Sequence, residues 1–225
     1  MKFFMFNDPR DYRFAWASRR EPWRLLGREE TGQPETAQMQ WEADSELVGD
    51  FVWWDGAFRD VVVQRSVGEI LMEHFTGFEL GPIAMFQDPK FDRMKRKPRK
   101  PRILLPYTGP ELVYLAVTSL APIDLELSSI EWVERDGKVQ PRLLPVTERY
   151  EIRFENHMPA GEIHIPREPG KGAFVHATDL QGASIFRDVL VDYPSCICCT
   201  ESVKNFIEQQ GWNNVRFLEV GDVID

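Results

Sequence analysis

No stretch of the chain comes near the roughly 18 consecutive apolar residues that a membrane-spanning helix requires. Cysteine is scarce and crowded. Cys196, Cys198 and Cys199 fall within four residues, whereas a disulfide framework shows an even, dispersed set. Metal sites favour Cys-x-x-Cys, because two intervening residues let both thiolates reach one ion. Here the cluster has no second partner cluster, and His74, His157, His164 and His176 form no ligand pair. No metal or cofactor is therefore expected, and Cys196 and Cys198 read as small apolar residues on one face of a buried strand ending near Thr200. Gly170-Lys171-Gly172 lacks the upstream glycine and the Ser/Thr of a phosphate-binding loop, and neither Gly-x-Ser-x-Gly nor His-Glu-x-x-His occurs. Glu155 and Glu162 stand near His157 and His164, yet four histidines meet acids by chance, and nothing orients His176 as a base for Cys196. The chain is read as a non-enzyme, with a small Cys/His enzyme or a zinc-binding protein as an alternative.

Apolar residues are plentiful: 43% of the 225 residues are hydrophobic, including seven Trp and fifteen Phe, which is ample for a packed core and excludes disorder. The length suits one large domain or two small ones packed closely. The apolar start Met1 to Phe6 is closed by Asp8-Pro9, too soon for a signal peptide, so a cytoplasmic protein is expected.

Charge is unevenly spread. Lys90 to Arg102 holds eight basic residues against Asp92, a segment charge of +7, which leaves −16 for the rest of a chain whose formal net charge is −9. Pro89, Pro98 and Pro101 deny this run a continuous helix, so it reads as an exposed loop. A basic loop can grip phosphates, but the acidic remainder repels a nucleic-acid backbone, which keeps a nucleic-acid-associated regulator as an alternative only. Acid and aromatic residues meet in Trp41, Glu42, Asp44, Glu46, Asp50, Trp54 and Asp55. Acids around aromatic anchors suit capture of a basic protein, since charge steers encounter and aromatic rings anchor the contact. The competing reading places the tryptophans, Trp53 above all, in the core and leaves the acids as solubilising groups.

Local patterns predict an α+β fold, strand-rich with mixed sheets and a few amphipathic helices. Lys2 to Asn7 reads as an opening strand, Phe51 to Trp54 and Val61 to Gln64 as two more, and Asp136-Gly137 as a hairpin turn. Ser66 with Glu69 has the form of a capping box, Val67, Ile70, Leu71 and His74 follow at helical spacing, and Gly77 is the expected stop. The end of the chain repeats this: Thr200 as cap, Val203, Phe206, Ile207 and Gln210 at the same spacing, Gly211 as stop, then an alternating strand from Val215 to Val220. Ser66-Val67 and Ser202-Val203 lie 136 residues apart, which makes the helix–strand unit a candidate internal repeat. The chain divides into a strand and loop region, 1–60, and an α+β region, 61–225, packed as one body.

The helix–Gly–strand ending, preceded by Ile185-Phe186-Arg187-Asp188, resembles a family of bacterial immunity proteins. These are encoded beside polymorphic toxins and were first known as a domain of unknown function in myxobacteria and proteobacteria. The likeness extends to Leu112 through Val117, followed by Ile123-Asp124 and Ser128-Ser129, and to Val61-Val62-Val63 with the segment up to Phe75. It covers Val61 to Val220 and rests on packing patterns. The resemblance implies a stoichiometric inhibitor without turnover or cofactor, whose partner is a co-encoded toxin, basic if it attacks nucleic acids. With no apolar run long enough to span one, no membrane partner is expected. The segment from Trp41 to Asp55 is the expected contact surface.

Overall fold

β-Branched and aromatic residues in short alternating runs make strands the dominant element. In chain order the elements are β1 (Lys2–Asn7), β2 (Trp16–Arg19), β3 (Ala37–Trp41), β4 (Phe51–Trp54), β5 (Val62–Gln64), α1 (Arg65–His74), β6 (Phe78–Met85) and β7 (Leu112–Val117). They continue with β8 (Leu120–Pro122), β9 (Ile130–Arg135), β10 (Lys138–Leu143), β11 (Glu151–Glu155), β12 (Met158–Ile163), β13 (Ala173–His176), α2 (Ala177–Leu180), β14 (Ile185–Leu190), β15 (Tyr193–Thr200), α3 (Glu201–Gln210) and β16 (Arg216–Ile224). The structure is a computed structural model, and it describes residues 1–9, 11, 13–19, 26–41, 47–54, 60–86, 107–135, 137–143, 151–155, 158–163, 170–190 and 193–225. The fold is α+β and strand-rich, as the sequence predicts. The basic run 90–102 lies outside the described residues.

Two six-stranded assemblies share one plan. The first is a closed barrel in the order β2-β3-β6-β7-β5-β4, and the second is a sheet in the order β13-β16-β1-β15-β14-β8. In the barrel, β5 and β6 both run antiparallel to β7, which lies between them, and α1 connects them. In the sheet, β15 and β16 both run antiparallel to β1, and α3 connects them. The outer pairings match too: β3 lies parallel to β6 as β13 does to β16, and β2 lies parallel to β4 as β8 does to β14. Read across these registers, Ala37 occupies the place of Ala173, Ala17 of Ala121, Val52 of Phe186 and Val63 of Cys199. The middle strand breaks the parallel. β7 follows β6 in sequence, whereas β1 comes from the other end of the chain, so residues 1–60 are shared between both assemblies. Two antiparallel hairpins, β9–β10 and β11–β12, stand between β8 and β13, where the barrel unit has no counterpart strands among the described residues.

The helices face each other across a core that the assemblies hold in common. Val67 and Leu71 from α1 and Val203 and Ile207 from α3 are buried there with Phe4 and Phe6 of β1, Phe51 and Trp53 of β4, and Ile185 and Ile197. Ile70 and Phe206 are half-buried and His74 and Gln210 exposed, so each helix buries a narrower stripe than its spacing predicts. The ring of Phe206 contacts His74 at 4.7 Å and Phe75 at 5.3 Å between centroids. The capping differs from expectation. Gln64, not Ser66, is the N-cap of α1, and neither it nor Thr200 makes a side-chain cap bond; the Thr200 hydroxyl instead meets Ser202 Oγ at 2.8 Å. Gly211 ends α3 in the left-handed region as predicted, whereas α1 ends in extended Phe75, two residues before Gly77.

Gly77 serves the clasp between assemblies. With φ of 102° it carries the turn after α1 against the start of β14, where a Cβ would strike the Ile185 carbonyl oxygen. Thr76 O accepts the amides of Ser184 (3.0 Å) and Ile185 (3.1 Å), and Thr76 Oγ1 donates to Gly182 O at 2.9 Å. The turn after α3 grips the start of β4 in return. Asp50 N–H donates to Asn213 Oδ1 (2.9 Å), Asn213 N–H to Asp50 Oδ2 (2.8 Å), and Asn214 Nδ2 to Phe51 O (2.7 Å). Trp53 Nε1 completes this grip at 2.6 Å from Asn214 O, and its buried ring confirms the core assignment of Trp53.

One charge bridges the assemblies. Asp60 accepts from Arg19 Nη1 (2.6 Å) and from Arg187 Nη2 (2.9 Å), with side-chain exposures of 3%, 4% and 9% in that order. Removing one member of such a group leaves an uncompensated buried charge, which costs about 3–5 kcal/mol. Asp60→Asn is therefore expected to lower the urea-unfolding free energy by about that amount; a loss below about 1 kcal/mol would show that water reaches the arginines.

Candidate functional site

Of the seven residues of the acid-and-aromatic segment, Trp41, Asp50 and Trp54 fall among the described residues. Trp41 ends β3 inside the barrel, 6% exposed, its ring 5.5 Å from that of Tyr107. Its indole N–H has no partner among the described residues, nor has the Tyr107 hydroxyl. Asp50 is half-exposed, and its carboxylate holds the Asn213 amide. Trp54 lies in β4 opposite Ala17. Glu42, Asp44, Glu46 and Asp55 lie outside the described residues. Trp41 and Asp50 thus serve separate internal contacts.

The Asp and Ser residues that follow the Leu112–Val117 strand in the resemblance have a definite task. Asp124 Oδ1 accepts the amides of Glu126 (2.9 Å) and Leu127 (3.0 Å), which folds the chain back on itself. Ser128 Oγ then accepts the Phe174 amide (2.8 Å) and Ser129 Oγ the Gly172 amide (3.1 Å), fixing this turn to β13. Asp124 Oδ2 lies 2.9 Å from His176 Nε2. The Leu127 amide first, and His176 next, hold the Asp124 carboxyl below its ordinary range. A carboxylate pinned by two backbone amides is a turn former before it is an acid–base group.

Immediately after this turn comes the most exposed apolar surface among the described residues. In β9–β10, Trp132 lies opposite Pro141 and Glu134 opposite Val139, so Ile130, Trp132, Glu134, Val139 and Pro141 share one face. Trp132 is 58% exposed and Val139 67%, and Leu127 in the preceding turn is 56% exposed. Gly137, with φ of 71°, closes the two-residue turn predicted at Asp136-Gly137. The turn signal located the hairpin, but no sequence feature says whether the face that carries Trp132 is covered. A buried Trp and an exposed one look alike in sequence.

The cysteines are core residues of the second assembly. Cys198 and Cys199 are fully buried on opposite faces of β15, and Cys196, half-buried, packs with Cys198 beside Phe3 and Phe186. Burial pushes the Cys198 and Cys199 thiols up, so neither is a thiolate near neutrality. Among the described residues no group of three His, Cys, Asp or Glu side chains is placed to hold a metal ion. Scans against family models and curated proteins found no match for this chain.

Asp188 is the unusual titrating group of this region. It is 5% exposed and accepts the Cys196 amide at 2.6 Å. Burial pushes its pKa up from 3.8 to about 6, against the opposing pull of the Cys196 amide. A raised carboxyl pKa favours the folded state while the group is protonated. Its contribution is full below about pH 4 and is lost as pH rises through about 6, a change of about 3 kcal/mol. Urea midpoints followed from pH 4 to 7 should therefore fall in the parent and fall much less in Asp188→Asn; equal slopes would place the ionisation elsewhere.

Proposed function

We propose that this protein is an immunity protein: it binds a co-encoded bacterial toxin in the cytoplasm and neutralises it by stoichiometric cover, without turnover or cofactor. The observation that carries this reading is the state of its charges. The cations of Lys2, Arg13, Arg19, Arg28, Arg65, Arg187 and Lys204 are each held by a carboxylate of the same chain. Glu29, Glu73, Glu126, Glu131, Glu134 and Glu201 are exposed without an ion-pair partner among the described residues. Against the exposed Lys138, the described residues therefore present surplus negative charge to solvent, in line with the −16 of the sequence outside the basic run. Such a field raises the encounter rate with a basic protein and lowers it with a nucleic acid. No helix among the described residues is long and apolar enough to cross a membrane.

The two strand–helix–strand units are, on the same reading, copies of one ancestral unit. Their equal strand order and directions support it, as do the register matches Ala37/Ala173, Val63/Cys199, Val67/Val203 and Leu71/Ile207, all separated by 136 residues.

The test is co-expression and mixing with the product of the neighbouring gene. That product is expected to be toxic alone, harmless with this chain, and to form a complex of fixed stoichiometry whose association slows as salt rises. Retention of nucleic acid or zinc by the purified chain, with no protein bound, would overturn the proposal.

A further inference from the structure

We draw no further inference here: the strongest candidate, the outward apolar face of the β9–β10 hairpin, where Trp132 and Val139 stand exposed, is an unpartnered surface, and nothing in the structure shows what covers it.

Discussion

The structure depends on one shared core, held between two assemblies that cannot close it separately. Each supplies a helix with only two fully buried apolar residues, Val67 and Leu71 or Val203 and Ile207. Such a stripe is too narrow to hold a ten-residue helix in water by itself. Facing helices solve the problem for each other, and Phe206 against His74 and Phe75 marks where they meet. The reciprocal clasps at Thr76 and Asn213 and the buried Asp60 between Arg19 and Arg187 then fix the angle at which the assemblies meet. Hydrophobic burial supplies the attraction, and these directed bonds, worth about 1 kcal/mol each when neutral, supply the register.

That division of labour explains where a binding function can reside. The side chains that carry charge between strands are committed to the interior, and the cysteine strand is sealed. The surplus acids and the exposed hairpin face remain available to a partner. The acids are spread over both assemblies, whereas the hairpin lies in the assembly whose plan tolerates an insertion, where a turn held by Asp124 and two serines precedes the added strands. A surface can change on such an insertion without disturbing the core beneath it.

Much of the fold was legible in the residues. The opening strand matched at both ends because Asp8-Pro9 marks its stop, and the Asp136-Gly137 turn set the hairpin register. The 136-residue spacing of the two helices also turned out to accompany equal strand directions around them. What sequence could not supply was pairing at a distance. Asp60 with Arg187, or Trp53 with Asn214, are contacts across more than a hundred residues, and no local pattern encodes them. The capping box at Ser66 failed because β5 runs directly into α1, so Gln64 is already the residue at the boundary and Ser66 falls within the first turn. For the interaction site, composition pointed to acids and aromatics, but Trp41 is consumed by the barrel while Trp132 is not, a distinction that exists only after folding.

The central position of β1 also bears on how the chain reaches this state. Residues 2 to 7 are made before their partners β15 and β16, which begin only at Tyr193 and Arg216. The barrel can close from a continuous stretch, but Phe3, Phe4 and Phe6 must wait until the strands at Tyr193–Thr200 and Arg216–Ile224 are made before they find their places. At about 5–20 residues per second that wait lasts on the order of ten seconds or more, during which a sticky aromatic strand is open to mispairing or to a chaperone. Bringing β1 to strands so distant in sequence carries a loop-closure entropy that the locally connected strands of the barrel largely avoid, which makes the second assembly the more non-local of the two.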